Sequence, residues 1–306
     1  MTRPVLAFVF LCAVFGTTFG AIAVGLRDGW PPLLAAGTRF ALAGALVLAV
    51  AAARGELRRR IAPRELGGIA VGGLTVTTAV FGVLYTAEQV LPSSLAALIS
   101  ASLPLFAFGL AVALGRRRID AAALAGLGLG SAGVMLVVGV GGMHGGRAAA
   151  LAALALVGSE VAFAAGLTMT RGLAGRLPVL ALAGGQQLFG GLVLLALSAA
   201  FEHRGPARLD ATGLLALAYL TVVASAGAHT VTIWRAGTAG ATFAASWTYV
   251  APFVALLVGA LALHEPVGPS AWVGGALVVL GAVGLNADLV RTLRRPAGEP
   301  RAATIP

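Results

Sequence analysis

Runs of about twenty apolar residues recur along the whole chain, each long enough to cross the roughly 30 Å hydrocarbon core of a bilayer as an α-helix. Ten such runs are read, at 5–26, 31–53, 66–87, 91–114, 120–140, 148–170, 178–200, 211–234, 238–263 and 268–289, separated by connections rich in Arg, Gly, Pro and acidic residues. Composition agrees, since 59% of the 306 residues are hydrophobic and 10% charged, against roughly 45–50% and about 25% in soluble domains. The first run follows Arg3 and contains Ala21-Ile22-Ala23, as a signal peptide could, but it is far longer than the 7–15 residues usual for such a core. It reads as a retained first helix.

Other classes fall away on specific residues. The chain has no lysine and hence no Walker-type phosphate loop, and no GxGxxG follows a plausible strand. Cys12 is the single cysteine and the four histidines are scattered, so neither a disulfide nor a metal cluster is expected, and no cofactor is implied. A formal net charge of +10 would suit nucleic acid if it formed one basic face. The arginines instead fall in short groups between apolar runs, and nucleic acid is not an expected partner. Sixteen of them, among them Arg3, Arg54, Arg58, Arg64, Arg116, Arg117, Arg171, Arg176, Arg235 and Arg295, lie on the side of the N-terminus, while Arg27, Arg147, Arg204 and Arg208 lie opposite and Arg39 lies within the second run. Because Lys and Arg accumulate in cytoplasmic loops, both termini are expected in the cytoplasm.

Shifting the chain by 148 residues brings Leu95-Ala96-Ala97 onto Phe243-Ala244-Ala245, Pro104 onto Pro252, Gly126 onto Gly274 and Gly133 onto Gly281. The repeat unit therefore holds five spans. An odd number makes the second copy enter the membrane from the other face, the inverted arrangement common in secondary transporters. The expected architecture is all-α, a polytopic membrane protein of ten transmembrane helices in two inverted five-helix repeats, with residues 1–145 and 146–290 as the repeats and 291–306 as a cytoplasmic tail. Pro104 and Pro252, in corresponding helices, are expected to bend them.

Phe15-Gly16-Thr17-Thr18-Phe19 in the first span, Arg39 in the second, Pro104 and Pro252, Leu263-His264-Glu265 after the ninth, and the glycine-striped helices closing each half together resemble the drug/metabolite transporter superfamily, in its ten-helix form with two EamA-type domains. The resemblance covers nearly the whole chain. Two positions depart from it: Arg117 stands in the first repeat where the second has Glu265, and Gln187 stands where the first has Arg39. The resemblance implies a bacterial inner-membrane exporter of metabolites, with amino acids prominent among them.

Polar groups inside hydrocarbon are costly unless they face a cavity or one another. Thr75, Thr78, Gly82, Tyr85 and Gln89 share one face of the third helix, and Thr221, Ser225, His229 and Thr232 one face of the eighth. The ninth helix shows Thr242, Ser246, Tyr249 and Phe253, and the fourth Ser93, Ser100 and Pro104. Four such stripes suggest a shared central cavity, although any one Ser or Thr can equally bond its own helix backbone. Phe81, Tyr85, Trp247 and Tyr249 would add aromatic walls, suited to amphipathic solutes. Trp30, Trp234 and Trp272 read as interfacial anchors. The candidate substrate residues are thus Thr78, Phe81, Tyr85, Ser100, His229, Ser246, Trp247 and Tyr249. Arg39 and Glu160, two full charges near mid-membrane, read either as a buried ion pair or as coupling and substrate contacts. The expected partners are a small-molecule substrate and the lipid bilayer, with the chain a monomer or a homodimer. Its expected function is export of neutral or aromatic amino acids by alternating access. The alternatives are a multidrug or nucleobase-type exporter of the same fold and, from another class, an intramembrane transferase. The absence of acid-rich metal motifs and of a Ser/His/Asp set weighs against an enzyme.

Overall fold

The computed structural model describes residues 3–116, 119–202, 210–238, 246–265 and 267–285; the side chains of Ser246 and Tyr249, and the tail from 286 on, lie outside that set. Among the described residues all regular secondary structure is helical. Ten apolar helices follow one another: α1 (Arg3–Arg27), α2 (Pro32–Ala53), α3 (Pro63–Ala87), α4 (Ser93–Ala113), α5 (Ala121–Val137), α6 (Gly146–Ala174), α7 (Val179–Phe201), α8 (Ala211–Trp234), α9 (Ala251–Ala262) and α10 (Pro269–Leu285). Seven are long and apolar enough to cross a membrane, and α5, α9 and α10 are shorter within the described residues.

Local sequence sets the starts. Pro32 and Pro63 occupy first-turn positions, where the missing N–H costs nothing. Asp120 and Asp210 accept from the backbone N–H of Ala123 and Gly213, each at 2.7 Å, and cap α5 and α8. α4 consists of two pieces, Ser93–Ser100 and Leu103–Ala113, with the chain turning at Ala101-Ser102 so that Pro104 falls in the first turn of the second piece. Pro252 takes the same place in α9, behind the 3-10 turn Ser246–Tyr249. A proline ring collides with the carbonyl one turn earlier, so each helix breaks just ahead of it.

Two contacts establish the inversion. On α5 and α10, a Cβ at Gly133 would lie 2.6 Å from both Gly274 O and Val278 N, and one at Gly281 would strike the backbone of Gly126 and Gly130. Adding 148 to 126, 130 and 133 gives 274, 278 and 281, so one contact is the other with the repeats exchanged, the mark of a two-fold relation. Residue numbers rise along α5 as they fall along its partner, and these corresponding helices are therefore antiparallel. The same holds for α2 and α7, where Gly37 meets Leu195, Gly44 meets Leu188 and Gly191 meets Ala41. Only glycine lets the backbones approach this closely.

Leu42, Leu124, Leu154, Leu192, Leu215 and Leu257 point outward and are exposed. In water such apolar cover would aggregate; against acyl chains it is the lipid face. Inside, Leu11, Phe15 and Ile22 of α1 pack into a core that includes Val76, Leu98, Leu156 and Leu256. Around this core two stretches widen into π-helix, Gly73–Ala79 in α3 and Leu220–His229 in α8, again at the repeat offset.

Candidate functional site

Arg39 lies about two turns into α2 and is 1% exposed. Its Nε donates to Ser225 Oγ at 2.7 Å and its Nη1 to Tyr85 Oη at 3.2 Å. The guanidinium carbon lies 4.7 Å from the centroid of Phe40 and 5.1 Å from that of Phe81, within cation–π range. The two rings touch at 4.4 Å, and His229 stands edge-on to both at 6.1 and 6.3 Å. His229 is buried and its Nε2 makes no hydrogen bond. Three elements build this cluster, and the π-helical turns matter to it. A turn with bonds five residues apart rotates the side chains that follow relative to a regular helix, and the α8 stretch carries both Ser225 and His229.

The pairing of Arg39 with Glu160 is corrected by this geometry. Among the described residues the one ion pair is Arg59 with Glu65, at 2.7 Å on the surface. Glu160 is hydrogen-bonded with Ser100 of α4, and its Oε2 has no partner. Their shared place within apolar spans put the two charges together in the sequence reading, but their neighbours differ, with α3 and α8 around Arg39 and α4 beside Glu160. The Thr78 hydroxyl donates to Gly190 O at 3.1 Å, tying α3 to α7. Trp247 is buried and stacks on Phe15 at 4.1 Å and 31°, so its ring joins α1 to the start of α9. Trp30 is buried too, at a crevice of about 10 Å³ that it shares with Tyr85, Leu217 and Leu220. The structure thus brings Phe81, Tyr85 and His229 around Arg39, and Ser100 to Glu160. Ser246 and Tyr249 cannot be placed because their side chains lie outside the described set, as does Thr242.

The polar cluster is closed in this conformation, and two carboxylates fasten one end of the bundle, the end opposite the N-terminus. Glu265 accepts from Ser93 N at 2.9 Å, Ser93 Oγ at 2.7 Å and Ser94 N at 3.0 Å. Burial pulls its carboxyl upward, but the bonds from Ser94 and Ser93 outweigh that and hold it below the ordinary range. Glu202 accepts from Leu33 N at 2.7 Å, Leu34 N at 3.0 Å and Ser198 Oγ at 2.7 Å. Each therefore caps the N-terminus of a helix in the other repeat.

The EamA-like transporter family matches residues 2–139 and again residues 150–287. The chain belongs to that family. Among its relatives, the EamA-like chain is 30% identical over 282 residues to YedA of Escherichia coli K12, described as an uncharacterized inner membrane transporter, covering 90% of this chain and 88% of that one. It is 30% identical over 310 residues, 100% of this chain and 98% of the other, to a protein of Streptantibioticus cattleyicolor described as a probable terminal-alkyne amino-acid exporter. A crystal structure 21% identical in sequence superposes with a TM-score of 0.67 over 95% of this chain and 99% of that one, a likeness of fold. This EamA-like protein is a membrane transporter of the drug/metabolite class.

Proposed function

We propose that the chain exports neutral or aromatic amino acids from the cytoplasm across a bacterial inner membrane, with both termini cytoplasmic, by rocking its two repeats about the Arg39 cluster. The observation that carries this reading is a buried guanidinium bonded only to two hydroxyl oxygens, with no carboxylate of the described residues within 4.0 Å. A cation so placed is costly to bury, and a solute carboxylate would compensate it with a charge-assisted, bidentate contact. Phe40, Phe81 and Tyr85 offer aromatic area beside it for an apolar side chain. A likeness to a named amino-acid exporter over the full chain supports the same class of substrate. In the conformation described, the carboxylate caps on Glu202 and Glu265 hold the periplasmic end together, and loading would take place from the cytoplasm.

Counterflow in proteoliposomes against amino acids, nucleobases and cationic drugs tests the proposal. Exchange of neutral or aromatic amino acids is expected, with loss of that exchange in Arg39→Gln. Exchange of cationic drugs or nucleobases without amino acids would replace this reading by the exporter of the other substrate class.

A further inference from the structure

A second cavity lies between the ends of α1, α3, α4 and α9, one helical turn along α3 from the Tyr85 that bonds Arg39. It measures about 450 Å³ and is lined by Leu26, Arg27, Glu88, Gln89, His264 and Glu265, with Leu91 and Pro92 supplying apolar wall. Glu88 ends α3 and is 9% exposed, and neither of its carboxylate oxygens has a hydrogen-bond partner. Arg27 bonds one backbone carbonyl, Leu263 O, at 3.5 Å through both terminal nitrogens. The two side chains line one cavity yet form no ion pair within 4.0 Å. Glu265, by contrast, is fully engaged in capping α4. His264, the one non-glycine residue with positive φ among those described, at 53°, turns the backbone at this rim.

We infer that this cavity is a second, exit-side binding site for the amino acid zwitterion, in which Glu88 receives the α-ammonium group and Arg27 the carboxylate. The inference rests on the proposed amino acid export and deepens it. A carboxyl that ionises as the solute binds and a guanidinium held apart from it across a cavity fit a solute that carries both charges on one carbon, and they disfavour a solute that has lost either. The apolar wall from Leu26, Leu91 and Pro92 leaves room for an aliphatic side chain. Burial, and next the charge of Glu265, push the Glu88 carboxyl well above its ordinary range, with Arg39 pulling the other way; Arg27 and His264 are the remaining titratable groups on the cavity. An arriving ammonium then takes the place of the carboxyl proton, which leaves to water, so binding tightens as pH rises toward the raised value of the carboxyl, while the solute's amino group is still charged.

The test is binding of radiolabelled L-leucine to the purified full-length protein in lipid nanodiscs. In Arg39→Gln, where the central site is removed, one saturable site per chain is expected to remain. Adding Glu88→Gln or Arg27→Gln to that variant should weaken it roughly tenfold to hundredfold, the loss of a charge-assisted hydrogen bond. N-acetyl-L-leucine and L-leucinamide, each lacking one charge, should fail to displace the label. If Arg39→Gln does not elute as a folded species, Glu88→Gln alone should lower the stoichiometry of the wild type from two sites to one. The inference is overturned if Arg39→Gln is folded and binds no leucine, if the added substitutions leave its binding unchanged, or if the two single-charge analogues compete as well as leucine does. Failure of amino acid export itself would show separately, as absent counterflow by the wild type with leucine binding intact.

Discussion

Arg39 has the chemistry of a ligand-binding cation because its neighbours solvate it without neutralising it. Ser225, Tyr85 and two aromatic faces stabilise the charge without a carboxylate partner, and the proposed function assigns that charge to a solute carboxylate. Replacement by Gln is expected to abolish amino acid exchange while changing stability by no more than about 2 kcal/mol, since relief of the buried cation offsets the lost hydrogen bonds. Glu88 gives a prediction of opposite character. Its carboxyl is raised, first by burial and then by the charge of Glu265, so the folded protein favours the protonated form. That contribution is present at low pH and is lost as pH rises through the raised value. Glu88→Gln should therefore melt like the wild type in acid and increasingly above it toward alkaline pH, measured by thermal unfolding in detergent. An unchanged difference across pH would contradict the burial of this carboxyl. At this scale the sequence was only partly legible. Tyr85, Phe81, His229 and Arg39 could be picked out as polar or aromatic residues in apolar surroundings, and Ser225 lay on the same stripe. The partner of each could not be found that way. Membrane depth is read from position in a span, but the direction a residue faces around the bundle depends on packing, and Arg39 and Glu160, both within apolar spans, have different neighbours.

At the scale of elements, glycines determine how close the helices come. A methyl group at Gly133 would meet backbone atoms of α10 that cannot rotate away, so Gly133→Ala should cost roughly 1–3 kcal/mol. Gly128→Ala on the same helix meets nothing within 4 Å and should stay within about 1 kcal/mol of wild type. Equal melting of the two variants would contradict the close α5–α10 crossing. The carboxylate caps make a further prediction. Glu265→Gln keeps the shape but loses the charge at the N-terminus of α4, at a cost of about 1–2 kcal/mol near neutral pH. Because its folded carboxyl is held low, that stabilisation is present above the ordinary glutamate range and disappears as pH falls through the lowered value, so the two proteins should converge in acid. The spans, the prolines and the glycine stripes were visible in sequence because each leaves a periodic or duplicated mark. The π-helical stretches and the Glu202 cap were not, for a bond across 169 residues leaves no local pattern.

The whole molecule is a pair of antiparallel five-helix units whose contacts repeat with the halves exchanged, yet its charges break that symmetry. Glu265 and Glu202 cap helices at one end, while the positions 148 residues earlier hold Arg117 and Arg54. Guanidinium groups only donate and cannot accept from helix N–H groups, so the equivalent caps have no counterpart by the same chemistry at the arginine-rich end. If that end faces the cytoplasm, as proposed, a periplasmic reporter fused after Arg295 should be inactive and a cytoplasmic one active; the reverse would overturn the orientation. The duplication that makes the architecture readable in sequence also underlies the proposed mechanism, in which two nearly equivalent halves exchange their arrangements about a shared centre. The most direct measurement of the central claim is leucine counterflow in proteoliposomes by the wild type and by Arg39→Gln, with L-leucinamide as the analogue lacking a carboxylate. Arg39 as the carboxylate contact predicts exchange of leucine by the wild type, little exchange of leucinamide, and loss of leucine exchange in the folded variant. Leucine exchange that survives in Arg39→Gln, or leucinamide carried as well as leucine, would contradict it.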